Sequence, residues 1–127
     1  MEHALALLTS PEAWISLATL SVLRRAQGRA SEALATAEDA VSRYIATGGC
    51  GMFRGAFVRL AHAEALHATG DREAARRAIA DARAHLLAIA GKICDPAYRQ
   101  GFLDNVPENA RTLALARTWL DEPTPSP

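Results

Sequence analysis

Apolar residues recur along this chain at intervals of three and four, the spacing that lines one face of an α-helix. The clearest stretch is Phe57 to Leu87, FVRLAHAEALHATGDREAARRAIADARAHLL, which predicts two helices joined at Thr69-Gly70-Asp71. After that turn the pattern is Gly70, Ala75, Ile79, Ala82, and the same spacing occurs 42 positions earlier as Gly28, Ala33, Ala37, Ala40. Small side chains let two antiparallel helices approach closely, and glycine takes a bend that a residue with a Cβ resists. A helix-turn-helix unit recurring at this period is the mark of an α-helical repeat array.

Taken in order, residues 2–8 (EHALALL) are apolar on one side and read as the last turns of a helix, either a cap on the array or a remnant of a longer chain. Ser10 with Pro11 is a helix start signal. It opens a predicted helix over 11–27 that carries Trp14, Leu17, Ala18, Leu20 and Leu23 inward. Ser31 is expected to cap the next, over 31–46, with Ala33, Ala37, Ala40, Val41, Tyr44 and Ile45 on its apolar face. Further helices are predicted over 52–69, 71–91, 96–105 and 107–120. The fourth has an apolar seam at 75, 79, 82, 86, 89/90 and 93, and a solvated charged side with Arg72, Glu73, Arg76, Arg77, Asp81 and Arg83. The last has Val106 before it as a staple and Ala110, Leu113, Ala116 and Leu120 inward, with Trp119 at its end. The expectation is an all-α domain of six to seven helices over 1–120, built as antiparallel helix-hairpin repeats. The repeats fall at about 11–46 and 52–91, with a partial third over 95–120 and a disordered tail or linker stub over 121–127.

Composition agrees with the periodicity: 28 of 127 residues are alanine, which favours thin, close-packing helices that bury little area per residue. A formal net charge of zero gives no support for general attraction to nucleic acid or anionic lipid. No stretch approaches the ~18 apolar residues of a membrane span, and the start lacks the basic region of a signal peptide. Two cysteines, Cys50 and Cys94, are too few for a disulfide framework, and a reduced pair in a cytoplasmic protein is expected.

The spacing at 70 to 82, with Ala63 and Leu66 on the preceding helix, resembles the tetratricopeptide repeat (TPR), with a period longer than the usual ~34 residues. In the first copy Ala37 stands in place of the bulky residue, and Ser21 at a small helix-packing position. More specifically, Arg59 to Leu120 resembles the C-terminal helical-repeat regions of large multidomain bacterial signalling proteins, in which a serine/threonine kinase or nucleotide-binding regulatory domain precedes the repeats. The residues carrying that likeness are RLAHAEALHATGD, then Ile93, Asp95-Pro96, Arg99, Phe102-Leu103 and VPENARTLALA. The resemblance implies a non-catalytic regulatory or interaction region.

Candidate chemistry is sparse. Thr47-Gly48-Gly49-Cys50-Gly51 lacks the preceding strand and the Lys-Ser/Thr of a phosphate loop. His62 and His67 are five apart, about 140° around a helix, where a metal pair wants i,i+4. No serine or cysteine sits near a histidine in a nucleophile motif. We therefore expect no metal, no cofactor and no catalytic group, a small enzyme whose site is assembled only by the fold being the least favoured alternative. In helical-repeat stacks the first helix of each pair lines the concave side, which marks Arg25, Arg59, Glu64, His67 and Arg111 as candidate contacts for a protein or peptide partner. Arginines there would grip acidic groups, and Glu64, on a mostly apolar face, would equally serve as the partner of a nearby arginine. The alternative role is structural: apolar end faces packing on a second copy, as a homodimer, or on the rest of a longer kinase or ATPase chain.

Overall fold

The computed structural model describes residues 11–46 and 55–121. The EHALALL segment, the glycine cluster with Cys50, residues 52–54 and residues 122–127 lie outside the described residues, as do the side chains of Trp14 and Asp121. The described residues form six α-helices: α1 (Pro11–Ala26), α2 (Ala30–Ala46), α3 (Gly55–Ala68), α4 (Arg72–Ala90), α5 (Pro96–Asp104) and α6 (Pro107–Ala116). A π-turn (Arg117–Asp121) continues α6, and no strand occurs among the described residues.

The two turns anticipated at Gly28 and Gly70 have the same geometry. Gly28 has φ +78° and Gly70 φ +90°, the left-handed region that glycine enters without a Cβ penalty. In the first, the Gly28 amide donates to Arg25 O and the Arg29 amide to Arg24 O; in the second, Gly70 donates to His67 O and Asp71 to Leu66 O. These bonds satisfy carbonyls left open at the ends of α1 and α3. The following helix then starts at once, which places Arg29 and Asp71 in equivalent starting positions. Asp71 caps α4 by accepting from the Ala74 amide at 3.1 Å. Arg29 has no acceptor to offer, and Ser31, expected as the cap of α2, lies inside its first turn.

Contacts between helices put α3 at the centre. It packs against α2 and α4, its neighbours in sequence, and also against α1 and α6. Its buried residues accordingly run nearly all round it: Gly55, Val58, Leu60, Ala61, Ala63, Glu64, Ala65 and Leu66. At its start the chain passes close under Tyr44, and a Cβ on Gly55 would collide with the Tyr44 hydroxyl. The α4 seam is as read from sequence, with Ala75, Ile79, Ala82, Leu86 and Ala90 buried.

Three inward assignments differ. Leu20 and Leu23 of α1 are 37% and 54% exposed, because Ala18 and Ser21 take the inner face and Leu20 lies about 200° around the helix from Ala18. Ile45 is 65% exposed, at the rim of a cleft. On α6 the buried stripe is Asn109, Thr112 and Ala116, with Ala110 and Leu113 only partly covered. The polar pair is satisfied in place: Asn109 Nδ2 donates to Phe102 O at 2.9 Å, and Thr112 Oγ1 to Glu108 O at 2.7 Å. A helical reading that ranks only apolar residues passes over such a stripe.

Candidate functional site

Because α1 and α6 both flank α3, the side of α3 carrying Glu64 is enclosed between them. Glu64 is 6% exposed, and its carboxylate receives two guanidiniums. Arg111 donates from Nε to Oε1 at 3.0 Å and from Nη2 to Oε2 at 2.8 Å, a two-point grip. Arg25 Nη1 approaches Oε2 at 2.9 Å. Three helices distant in sequence are thus pinned at one carboxylate. The arrangement also answers a physical need, since a carboxylate out of water must be paired. Hydrogen bonding to Glu64 pushes the Arg111 pKa up, with partial burial opposing it. Two cations on one anion leave the cluster with a net positive charge, and the side chains of Arg25 and Arg111 remain 31% and 54% exposed.

The other two candidates lie elsewhere. His67, one turn beyond Glu64, stacks on Trp119 of the π-turn with ring centroids 4.5 Å apart and planes 2° from parallel. Arg59 is five residues before Glu64, about 140° around α3, and its guanidinium sits 5.2 Å from the centroid of the buried Tyr44 ring. Of the five residues, then, Arg25, Glu64 and Arg111 form one cluster, His67 stands beside it on the same side of α3, and Arg59 does not join them.

Arg59 instead lines a cleft of about 650 Å³ between α2 and α4, floored by α3. Val41, Val58 and Leu66 give it an apolar base, while Glu38, Asp81 and Arg77 stand on its walls. His62 lies within it, its pKa lowered by burial and raised in part by the nearby Glu38. A second recess of about 660 Å³ lies against α5, lined by Tyr98, Phe102, Val106 and Ile93 with Asn105 among them. Neither recess was marked by the sequence, because residues from separate elements come together to build each of them. Among the described residues no group of three His, Cys, Asp or Glu could hold a metal ion, and Cys94 is exposed. No helix among them is long and apolar enough to cross a membrane.

No protein family, curated protein or solved structure matches the chain. The functional reading therefore rests on the residues themselves.

Proposed function

We propose that this chain is a non-catalytic, TPR-like module that binds another protein or peptide, within a bacterial signalling or regulatory assembly in the cytoplasm. In this reading α1–α2 and α3–α4 are two antiparallel repeats, α5–α6 is a partial third, and α1, α3 and α6 line one side of a short solenoid. The recurrence of one turn geometry 42 residues apart supports the repeat. The observation that carries the binding role is the Arg25–Glu64–Arg111 cluster. A simple ion pair would be neutral, whereas here one carboxylate holds the Arg111 fork at two points and Arg25 at one, and both arginine side chains stay partly exposed. Forks held in place lose little freedom on receiving a second carboxylate, so the ligand is a peptide that presents an acidic side chain.

The test is binding of paired peptides that differ only in Asp/Glu versus Asn/Gln, followed by fluorescence anisotropy. The native chain should prefer the acidic member by about tenfold or more, and Arg111→Gln should remove that preference while circular dichroism shows the helices retained. Arg59→Gln, on another side of α3, should leave it unchanged. Equal binding of acidic and neutral peptides by the native chain would sink the reading. A second reading, a structural region that self-associates or packs on a longer kinase or ATPase chain, is favoured by the exposure of Leu20, Leu23 and Tyr98.

A further inference from the structure

The arginine cluster does not account for the aromatic stack beside it. Trp119 is half-buried and packs against the core formed by Leu60, Ala63, Ile79 and Ala116. That packing already secures the π-turn, yet a second ring is laid on the indole. His67 is exposed, and its imidazole lies within 2° of parallel to the indole at 4.5 Å between centroids. With contacting atoms about 3.5 Å apart, that spacing offsets the two rings by about 3 Å, the favoured stacked arrangement. An exposed histidine ordinarily turns among rotamers. Here the contact holds the ring flat, so a side chain arriving on it has little freedom left to remove.

The stack adjoins the site read above as the seat of an acidic side chain. His67 follows Glu64 by three residues on α3, which sets their Cβ atoms about 5–6 Å apart on one face. Glu64 in turn carries both Arg25 and Arg111. Alternate side chains of an extended peptide have a similar spacing, about 6.5–7 Å. A peptide that sets a carboxylate on the guanidiniums therefore brings the side chain two residues away to the level of the imidazole. Aromatic, proline and arginine side chains all lie flat on such rings. Arginine is opposed by the surplus positive charge of the cluster, and proline offers less flat area, so an aromatic side chain fits best.

We infer that the ligand of the arginine cluster carries an aromatic side chain two residues from its acidic one, and that the His67–Trp119 stack receives it. The inference rests on the acidic-peptide reading and narrows it to acidic-x-aromatic or aromatic-x-acidic peptides.

The experiment is fluorescence anisotropy with fluorescein-labelled Gly-Ser-Glu-Ser-Phe-Ser-Gly and Gly-Ser-Phe-Ser-Glu-Ser-Gly, each beside its Glu→Gln and Phe→Ala forms. In at least one order the native chain should prefer Phe over Ala by about tenfold, in addition to preferring Glu over Gln. His67→Ala, at an exposed position, should erase the Phe preference and keep the Glu preference, and Arg111→Gln should do the reverse. His67→Phe, which keeps a flat ring, should retain the Phe preference. A native chain that prefers Glu but binds the Phe and Ala forms alike overturns this inference and leaves the acidic-peptide reading standing. One that does not distinguish Glu from Gln overturns both. A Phe preference that survives His67→Ala puts the aromatic side chain elsewhere and overturns the inference as well. Loss of both preferences in His67→Ala would mean that the stack only braces the cluster, with the same result.

Discussion

Shifted by 42 residues, the α1–α2 and α3–α4 pairs share Gly28/Gly70, Ala33/Ala75 and Ala40/Ala82, and they differ in what they place between their helices. In the first pair Ser21 Oγ donates to Ala33 O at 2.7 Å, and Arg24 Nη1 donates to Thr36 Oγ1 at 2.7 Å. The corresponding residues of the second pair are Ala63, Ala75, Leu66 and Ala78. Ala37 likewise corresponds to Ile79, which is fully buried against Leu60, Ala63 and Ala116. One turn geometry therefore supports two kinds of interior. Around Ser21, Ala33 and Ala37, where the facing residues are small, the helices offer little apolar area, and side-chain hydrogen bonds to the partner helix make up part of the difference. Where an isoleucine fills the seam, burial carries the pair.

The largest effect should come from Ile79→Ala. Emptying a fully buried isoleucine site costs about 3 kcal/mol, which urea denaturation would read as a lower midpoint with an unchanged slope. The reverse change in the first pair, Ala37→Ile, should also destabilise, by about 1–3 kcal/mol, because Ala37 is fully buried in a cluster with Ala33 and Ala65 that a branched side chain would have to displace. A stabilising Ala37→Ile would show that the first pair is underfilled and that the contrast is mistaken.

Next in size is the arginine cluster, which ties α1 of the first pair to α3 of the second. With Arg25→Gln or Arg111→Gln alone, Glu64 keeps one cation, and the loss should be about 1 kcal/mol given the exposure of both arginines. With both replaced, a 6% exposed carboxylate has no cation left, and the loss should exceed the sum of the singles, reaching about 3 kcal/mol. A double-mutant cycle measures the excess. Strict additivity would mean that water reaches Glu64 and that the cluster does not act as a unit.

Smaller again is the hydroxyl exchange. Ser21→Ala should cost about 1 kcal/mol, the worth of one buried hydrogen bond, while Ala63→Ser should be close to neutral only if its hydroxyl reaches Ala75 O as Ser21 reaches Ala33 O. If Ala63→Ser instead destabilises by as much as Ser21→Ala, the two pairs differ in helix separation and not merely in side chains.

These contrasts also show what the chain's pattern could reveal. The turns were legible because glycine at a left-handed position leaves a fixed trace, and the α4 seam because Ala75, Ile79, Ala82, Leu86 and Ala90 are both apolar and inward. On α1 and α6, Ala18, Ser21 and Ala116 were legible as packing positions, but Asn109 and Thr112 were not, since their burial depends on nearby carbonyl acceptors that a residue's type does not announce. Glu64 and Arg111 were visible as candidates, but their meeting joins positions 47 apart through the packing of α6 on α3, which no local spacing encodes.

The smallest predicted effect concerns pH and the junction between the pairs. His62 corresponds to Leu20 in the first pair; Leu20 is 37% exposed, whereas α2 lies against α3 beside His62. Burial lowers the His62 pKa from 6.5, with Glu38 of α2 pulling the other way, and Arg59, Arg77, Asp81 and His85 share the cleft. The folded state thus disfavours the protonated ring, so the unfolded chain binds more protons as pH falls through 6.5, and stability must decline in that direction. The contribution is complete above pH 6.5 and is lost progressively below it, down through the lowered folded-state value. Denaturation midpoints measured between pH 7.5 and 5 should therefore fall for the native chain, and less steeply for His62→Asn, which cannot charge. Parallel slopes would assign the acid sensitivity to other groups and leave the α2–α3 junction as indifferent to protonation as the uncovered face at Leu20.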